Sequence, residues 1–246
     1  GIFLETQLET SSRMFEFVYK MFSDGHATLP KLGVEAIPKQ LLKNLKTTSF
    51  RYHTRVKALK ENEITLEDGS CLKSDYTIIA TEASELVSNL KNQSTEWKSC
   101  VTLYFETETK VITKKLIGLI SKPGALVNNI FYNSSLDTRT KTANELLSVT
   151  VIDTQGLSNE ALIEAVNEEL KSYCGIVTTK FIKLYDIPKA LPKLDNLKND
   201  MMPSETRLTN SLFLAGDTQL NGSLNAAMIS GERAALGVIE AISTTM

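Results

Sequence analysis

The amino-acid sequence predicts an α/β fold combined with an α+β part. The first observation is a short apolar strand, residues 212–214, followed by a helix of small residues, which is the strand-then-helix order of an α/β domain. The second is the middle of the chain, where polar loops separate strands from one helix at 159–173. Helical spacing gives this helix an apolar face of Leu162, Ile163, Val166 and Leu170. This arrangement is typical of a mixed, mainly antiparallel sheet with helices on one face. The strands are predicted at residues 100–106, 126–132, 146–152 and 178–185.

The C-terminal strand ends at Gly216, where glycine permits a sharp turn before the helix. Small residues make the first half of that helix thin, so its backbone can approach a sheet or a flat ligand. A glycine inside a helix costs about 0.5–1 kcal/mol relative to alanine, so we expect Gly231 to serve close packing. The apolar face predicted from helical spacing consists of Leu224, Ala227, Met228, Gly231, Ala235, Val238, Ile239 and Ile242.

Two helices are predicted near the start of the chain. Thr10, Ser11 and Ser12 are capping residues for a helix over 13–22, which Asp24 and Gly25 end. A second helix is predicted over 34–45, with a proline tolerated in its first turn. The first helix carries an apolar and aromatic stripe that we expect to be core: Met14, Phe15, Val18, Met21 and Phe22.

Residues 48–80 change to the period of strands. Phe50, Tyr52, Thr54 and Val56 alternate with polar residues, and a turn at 67–70 follows the next apolar pair. Residues 76–81 form a short apolar run, which is consistent with a strand buried inside a sheet. Residues 187–207 contain three prolines among charges, and we interpret them as a connector.

Composition excludes several classes of function. A net charge of −2 and a pI near 5.9 argue against a nucleic-acid surface, which needs clustered positive charge. No apolar run reaches the roughly 18 residues of a membrane span, and the first residues lack a signal-peptide pattern. Three scattered cysteines and two histidines predict reduced thiols, no metal site and a cytoplasmic location. Because residue 1 is not methionine, we expect a cut or processed start.

Unpaired backbone N–H groups are expected where the C-terminal helix begins, around residues 221–223. These donors and the helix dipole favour a negatively charged group there. Asp217 would repel a phosphate, but it would accept a hydrogen bond from a sugar hydroxyl. The other interpretation is a packing helix whose cap has no ligand.

Three segments resemble the flavin amine oxidase superfamily, in the family's order. Residues 212–235 resemble its C-terminal flavin-binding segment. Residues 29–41 resemble its Pro-x-Gly-Gly-Met segment, although Leu32 replaces one glycine and Val34 replaces the methionine. Residues 52–81 resemble the strand that holds adenine and the later strand that ends near the cofactor.

The resemblance implies an FAD-dependent oxidoreductase that removes a hydride equivalent from a C–N or C–C bond. The small-molecule substrate would be an amine, an isoprenoid or a porphyrin-like compound. Asp217 would bind a ribityl hydroxyl, the N–H groups of residues 224–227 would face the flavin pyrimidine edge, and Val56 would hold adenine. The implied cofactor-binding residues are Val56, Thr81, Glu82, Ala83, Gly216, Asp217, Gly222, Ser223, Leu224, Asn225, Ala226 and Ala227.

The chain departs from the family in one respect: it contains no Gly-x-Gly-x-x-Gly, the turn that binds the FAD pyrophosphate. The implied fold is therefore an incomplete FAD-binding Rossmann-like domain (26–90 and 206–246), interleaved with a substrate domain (1–25 and 91–205). We expect a fragment of a longer enzyme, with little FAD affinity without the missing N-terminal dinucleotide-binding segment. The alternative is a non-catalytic domain or remnant that packs on a partner and binds no flavin.

No catalytic residue stands out in the sequence. Lys115 and Lys122 fall where some family members place an active-site lysine, but a solvated surface position explains both. Aromatic residues in the strands could line a substrate cavity or form plain core. These are Tyr104, Phe105, Phe131 and Tyr132.

Overall fold

The computed structural model describes residues 2–7, 9–87, 95–137, 143–195 and 197–245. Its helices are α1 (Ser12–Asp24), α2 (Ala36–Leu42), α3 (Asn159–Cys174) and α4 (Leu224–Thr245). Its strands are β1 (Val56–Lys60), β2 (Glu63–Leu66), β3 (Cys71–Lys73), β4 (Thr77–Ile79), β5 (Glu96–Thr107), β6 (Gly118–Leu119), β7 (Val127–Tyr132), β8 (Glu145–Val151), β9 (Thr178–Lys193) and β10 (Leu212–Leu214). Among the helices of these residues, none has the length and apolarity that a membrane crossing requires.

Backbone contacts divide the chain into two compact units. Unit 1 contains residues 1–10, 17–46 and 97–191, and unit 2 contains 11–16, 47–96 and 192–246. The mixture of sheets and helices confirms the predicted fold class. The assignment of 26–90 and 206–246 to a flavin domain stays a prediction.

Unit 1 is built on a five-stranded sheet in the order β6-β7-β8-β5-β9. The pairs β6–β7, β7–β8 and β5–β8 are antiparallel, as the sequence predicts. Ser158 caps the start of helix α3, where its hydroxyl accepts a hydrogen bond from the Ala161 N–H (3.3 Å), and Gly175 at φ 64° caps the end. The Glu169 carboxylate accepts the N–H groups of Leu126 and Val127, both at 2.9 Å, and so ties α3 to the start of β7.

The core of unit 1 lies between α3 and one face of this sheet. The alternating residues of β5, β7 and β8 point into it, and α3 contributes the apolar positions predicted from its helical spacing. The buried residues of this core are Val101, Leu103, Phe105, Leu126, Val127, Ile130, Tyr132, Leu147, Val149, Val151, Leu162, Val166, Leu170 and Ile176.

Strand β9 is longer than predicted. Residues 187–193 were expected in a connector because of Pro188 and Pro192, but they continue the strand. Proline lacks the N–H that a ladder uses, so it is tolerated at a sheet edge. The order of the strands places β9 at such an edge, which explains why the strand continues through the two prolines.

Unit 2 contains a three-stranded antiparallel meander, β1-β2-β3, and a parallel pair, β4 and β10. The predicted turn between β2 and β3 is present, with Gly69 at φ 85°. The expected strand at 48–55 is absent, and pairing begins only at Val56. Instead, the exposed rings of Phe50 and Tyr52 stack on each other with centroids 6.1 Å apart, so alternation there does not reflect a buried face.

Helix α4 buries a different face from the one predicted. The buried positions are small residues four or three apart, whereas Met228, Ile239 and Ile242 are exposed. Val238 is a member of the predicted face that packs against the Phe213 cluster. Small side chains allow β10 to approach the helix axis, which larger ones would prevent. The buried residues are Ala226, Ser230, Ala234, Gly237 and Ala241.

The glycine that serves close packing in α4 is Gly237, not Gly231. A Cβ at Gly237 would lie 2.8 Å from the Pro203 carbonyl oxygen and 3.1 Å from Phe213 Cε1. A Cβ at Gly231 would meet no atom of the described residues within 4 Å. The prediction that Gly231 serves close packing is therefore wrong among the described residues.

The helices near the start of the chain also expose their apolar faces. In α1 only Met14 is buried, while Phe15, Met21 and Phe22 are exposed, so the stripe is not core among the described residues. Helix α2 is shorter than predicted and has no buried residue. Helical periodicity specifies that a face is apolar, but not what covers it.

A half-buried ion pair in unit 1 joins Glu5 to Lys98, with 3.4 Å between Oε2 and Nζ. Lys98 also donates to the Phe3 carbonyl (3.0 Å) and to the Thr10 hydroxyl (3.2 Å). Burial raises the pKa of Glu5, but hydrogen bonds from Thr10 and the Lys98 charge outweigh it and lower the pKa to about 2.

This ion pair predicts a loss of stability in acid. Because the folded pKa of Glu5 is about 2 against an ordinary 4.5, its contribution is complete above pH 4.5 and is lost as the pH falls towards 2. Replacing Glu5→Gln should remove that part of the pH dependence, measured by urea denaturation at several pH values. The exposed Glu16→Gln is the control, and an identical pH profile for both variants would contradict the assignment.

The two glycines of α4 predict opposite effects of the same substitution. Gly237→Ala should destabilise the chain by about 1–3 kcal/mol because its Cβ meets a backbone carbonyl. Gly231→Ala should stabilise it by about 0.5–1 kcal/mol because it enters open space in a helix. Urea denaturation followed by circular dichroism measures both, and equal destabilisation by the two variants would refute the packing described.

Candidate functional site

The carboxyl ends of β4 and β10 lie side by side in unit 2. Ile79 is paired with Leu214, and the Ala215 N–H donates to the Ile79 carbonyl at 2.9 Å. Thr81 and Glu82 follow β4 closely, and Gly216 follows β10. Ligands of open parallel sheets bind at this edge, outside the carboxyl ends of the strands.

Gly216 makes the turn out of β10 in a conformation that only glycine adopts readily, φ 140° and ψ 160°. Its N–H donates to the Ser230 hydroxyl at 2.9 Å, and that hydroxyl donates to the Ala227 carbonyl at 3.0 Å. Ser230 is fully buried. These two bonds fix the end of β10 against helix α4.

Asp217 begins the 3-10 turn Asp217–Gln219. Its carbonyl accepts hydrogen bonds from the N–H groups of Leu220 (3.1 Å) and Gly222 (3.0 Å), which folds the loop back towards the start of α4. Among the described residues, no hydrogen bond or ion pair engages the Asp217 carboxylate, which is half-buried. The carboxylate is therefore available to a hydroxyl of a ligand.

Ser223 caps helix α4. Its hydroxyl accepts the Ala226 N–H at 3.1 Å, and its carbonyl accepts the Ala227 N–H at 3.0 Å. No hydrogen bond within the described part of the chain reaches the N–H groups of Leu224 and Asn225, and both residues are exposed. Free N–H groups at the positive end of a helix dipole favour a negatively charged group, as the sequence analysis expects for this terminus.

A cavity of about 490 Å³ lies between the start of β1 and the turn after β4. The Leu59 N–H donates to the Leu86 carbonyl at 2.9 Å, which holds the turn against β1. The cavity brings together three of the predicted cofactor residues. Its lining residues are Thr54, Arg55, Val56, Lys57, Glu67, Thr81, Glu82, Glu85 and Leu86.

Unit 2 therefore contains all twelve predicted cofactor residues, arranged in two groups. Val56, Thr81 and Glu82 line the cavity, and Ala83 begins the 3-10 turn Ala83–Glu85 beside it. The second group follows β10 from Gly216 to the first turn of α4. In that group the Ala226 side chain is buried beside Met201 and Leu220, and the N–H groups of residues 226 and 227 are bonded to Ser223.

Sequence reasoning gave no bonding role to two buried polar residues of this region, Ser230 and Asn221. Ser230 was counted only among the small residues of the helix, although a hydroxyl among alanines signals a hydrogen-bonding role. The Asn221 amide donates to Lys198 and Asn199, which lie 23 and 22 positions away in the sequence. No local sequence pattern indicates a contact over that separation.

The four aromatic residues that the sequence suggested for a substrate cavity or for plain core lie in unit 1. Phe105 and Tyr132 are core residues, 0% and 2% exposed. Tyr104 and Phe131 lie on the opposite face of the sheet, where both are paired with Ser148. The edge-to-face ring of Tyr185 is 5.9 Å from that of Tyr104, and burial raises the pKa of the Tyr104 hydroxyl.

The two candidate lysines, Lys115 and Lys122, are both exposed. The Lys122 ammonium lies 3.9 Å from the centre of the Tyr173 ring, a cation–π contact with the last turn of α3.

Comparison with known proteins decides the family. The profile of the flavin-containing amine oxidoreductases matches residues 1–239, nearly the whole chain. The chain belongs to this flavin-containing amine oxidoreductase family. The resemblance inferred from three segments is thereby confirmed.

Solved structures with the fold of these flavin-containing amine oxidoreductases are similar at low identity. A provisionally named protoporphyrinogen oxidase from Exiguobacterium sp. 255-15 is 13% identical with a TM-score of 0.66, over 86% of this chain and 51% of that one. Putrescine oxidase bound to putrescine is 12% identical with a TM-score of 0.60, over 85% and 53%. A fatty acid isomerase from P. acnes that produces CLA is 10% identical with a TM-score of 0.57, over 84% and 52%.

The chain thus spans about half the length of these three solved structures. No curated protein sequence matches it. The structures carry names of three different substrate types, so the fold alone does not select a substrate.

The hydrogen bond between Ser230 and Gly216 predicts a specific loss of stability when it is removed. Ser230→Ala leaves the Gly216 N–H without its partner, which costs about 1–3 kcal/mol. Ser243→Ala is the matched control, because Ser243 is exposed and its hydroxyl donates to the Ile239 carbonyl of the same helix. Denaturant unfolding compares the two, and equal effects would show that the Ser230 contact to β10 contributes nothing.

Proposed function

We propose that the protein is an FAD-dependent oxidoreductase that removes a hydride equivalent from a C–N or C–C bond of a small-molecule substrate. The observation that carries the proposal is the start of helix α4. The N–H groups of Leu224 and Asn225, which no hydrogen bond among the described residues reaches, lie there beside the Gly216 turn, in a family that contains flavin. FAD, when bound, supplies the redox chemistry, and the protein supplies binding, orientation and electrostatics.

The donor set at this edge fits the parts of FAD. The N–H groups of Leu224 and Asn225 would bind the pyrimidine edge, where reduction places negative charge, and the helix dipole would stabilise that charge. The Asp217 carboxylate would accept a ribityl hydroxyl. Because Asp217 would repel phosphate, the pyrophosphate must be held elsewhere.

The cavity of unit 2 would hold the adenosine end. Val56 is a strand residue whose backbone would hold the adenine ring, and Thr81, Glu82 and Ala83 would form the adjacent wall. The volume of about 490 Å³ is in the range of small-molecule sites, roughly 300–1,000 Å³.

We propose that a segment carrying a strand and a glycine-rich turn completes the pyrophosphate site. Within the described residues β4 pairs only with β10, and Ile78 on β4 is 40% exposed. An open strand edge of this kind is a template for another strand. Helix α4 also exposes apolar residues that such a segment would cover: Leu224, Met228, Leu236, Ile239 and Ile242.

The substrate surface we propose is the face of the unit 1 sheet opposite α3. Tyr104, Ser148 and Phe131 form a row across β5, β8 and β7 there, and Tyr185 adds a ring beside Tyr104. An aromatic surface suits an isoprenoid or porphyrin-like compound, and it also suits the cation of an amine. The substrate class is therefore an amine, an isoprenoid or a porphyrin-like molecule.

A second candidate function is a non-catalytic domain that packs on a partner. The observation that favours it is the absence of Gly-x-Gly-x-x-Gly from the 246 residues. Both candidates use the exposed apolar side of α4, but only the first one needs FAD.

Flavin binding separates the two functions. The chain joined to a glycine-rich dinucleotide-binding segment should purify yellow, with a flavin absorbance band, whereas the 246 residues alone should bind little FAD in a fluorescence titration. A colourless joined protein that takes up no added FAD would eliminate the enzyme. Tight, stoichiometric uptake by the 246 residues alone would eliminate the need for a further segment.

Asp217 predicts a quantitative effect on FAD retention. Asp217→Ala should weaken FAD binding by about 10- to 100-fold, because a hydrogen bond to a charged group contributes roughly 1.5–3 kcal/mol. Asp195→Ala is the control, since Asp195 is an exposed carboxylate of the same unit. Dissociation constants from FAD fluorescence test this, and equal values for the two variants would remove the role of Asp217.

A further inference from the structure

Asn221 is a buried amide in the loop between β10 and α4, only 7% exposed. Its Nδ2 donates to the Lys198 carbonyl (3.2 Å) and to the Asn199 Oδ1 (3.3 Å). Its Oδ1 accepts the Ser223 hydroxyl at 2.7 Å. The side chain therefore bridges the segment at 197–202 to the cap of α4.

The segment that receives this amide is itself held in place. The Asp200 carboxylate accepts two hydrogen bonds from Arg233, at 3.0 Å to Nε and 3.1 Å to Nη2. The Met201 side chain packs with Leu220 and Ala226 in a buried cluster. Asn221 is thus attached to a segment that is anchored to the first and third turns of the same helix, through Ala226 and Arg233.

The bond to Asn221 also orients the cap of the helix. Because the Ser223 proton points to Asn221 Oδ1, a lone pair of the Ser223 oxygen is available to the Ala226 N–H. This chain of hydrogen bonds satisfies the third N–H of α4 internally. The first two, of the exposed residues Leu224 and Asn225, have no hydrogen-bond partner among the described residues, and we refer to them as the outward donors.

We propose that Asn221 is a positioning residue that sets the reduction potential of the bound flavin. It holds Ser223, and through it the outward N–H groups of Leu224 and Asn225, in one place relative to the Gly216 turn. A fixed helix terminus stabilises a charge that develops on reduction without first reorganising. This inference rests on the proposed function, in which those donors face the flavin pyrimidine edge.

The test uses the FAD-loaded protein joined to the pyrophosphate-binding segment. It compares the flavin midpoint potential of the Asn221→Ala variant with that of the unsubstituted joined protein. The substitution should weaken the binding of reduced FAD at least tenfold more than that of oxidised FAD. For a two-electron couple this ratio lowers the midpoint potential by about 30 mV. Spectroelectrochemical titration measures the potential, and Asn159→Ala, at an exposed asparagine of unit 1, should leave it unchanged.

Asn221→Asp and Ser223→Ala keep the proposal testable if Asn221→Ala does not fold. The aspartate retains the acceptor for Ser223, but it adds a negative charge near the flavin, so the potential should also fall. Ser223→Ala should reproduce the shift of Asn221→Ala, and the double variant should show little further shift, because both act through one hydrogen bond.

The outcomes separate the two levels of the proposal. If the original protein binds FAD and the Asn221 variants lose thermal stability while the potential is unchanged, Asn221 is merely structural and the inference is overturned, whereas the proposed function survives. If the joined protein binds no FAD, both are overturned. A lowered potential that is shared with Ser223→Ala and absent from Asn159→Ala supports the inference.

Discussion

The close approach of helix α4 to strand β10 is the constraint on which the rest of unit 2 depends. Ala226, Ala234 and Ala241 line the buried face of the helix, and Gly237 removes even a methyl group where Phe213 and a backbone carbonyl touch it. The buried hydroxyl of Ser230 then binds the Gly216 N–H at the end of the strand. Packing and hydrogen bonding thus fix the same junction.

This packing leaves the N-terminus and the opposite face of α4 exposed. At the N-terminus, Ser223 binds the N–H groups of Ala226 and Ala227, whereas no hydrogen bond among the described residues reaches those of residues 224 and 225. The larger apolar residues stay exposed because the strand accepts only small ones. A helix packed through its small face can therefore leave both its N-terminal N–H groups and its larger apolar side chains exposed.

Several parts of the fold and the site could be predicted from local patterns. Alternating apolar residues in β5, β7 and β8 and helical spacing in α3 predicted a mainly antiparallel sheet with a helix on one face. The Gly216 turn and the small residues after it predicted a strand that leads through a tight turn into a helix. Each of these patterns reflects chemistry within about twenty residues of the chain.

Other parts could not be predicted, because they depend on what each surface meets. The apolar stripe of α1 and the larger residues of α4 have the spacing of a core, yet they are exposed. Pro188 and Pro192 suggested a connector, but an edge position lets a strand continue through them. The role of Asn221 depends on Lys198, twenty-three residues away, which no local pattern connects to it.

The sequence by itself determined the secondary structure of the site, the turn glycine and the family, because backbone conformation and motif order are local properties. Only the tertiary structure decided which face of α4 is buried, which glycine is packed, and which N–H groups remain available. The physical reason is that burial and hydrogen bonding depend on both of the surfaces that meet. A local residue pattern specifies only one of those two surfaces.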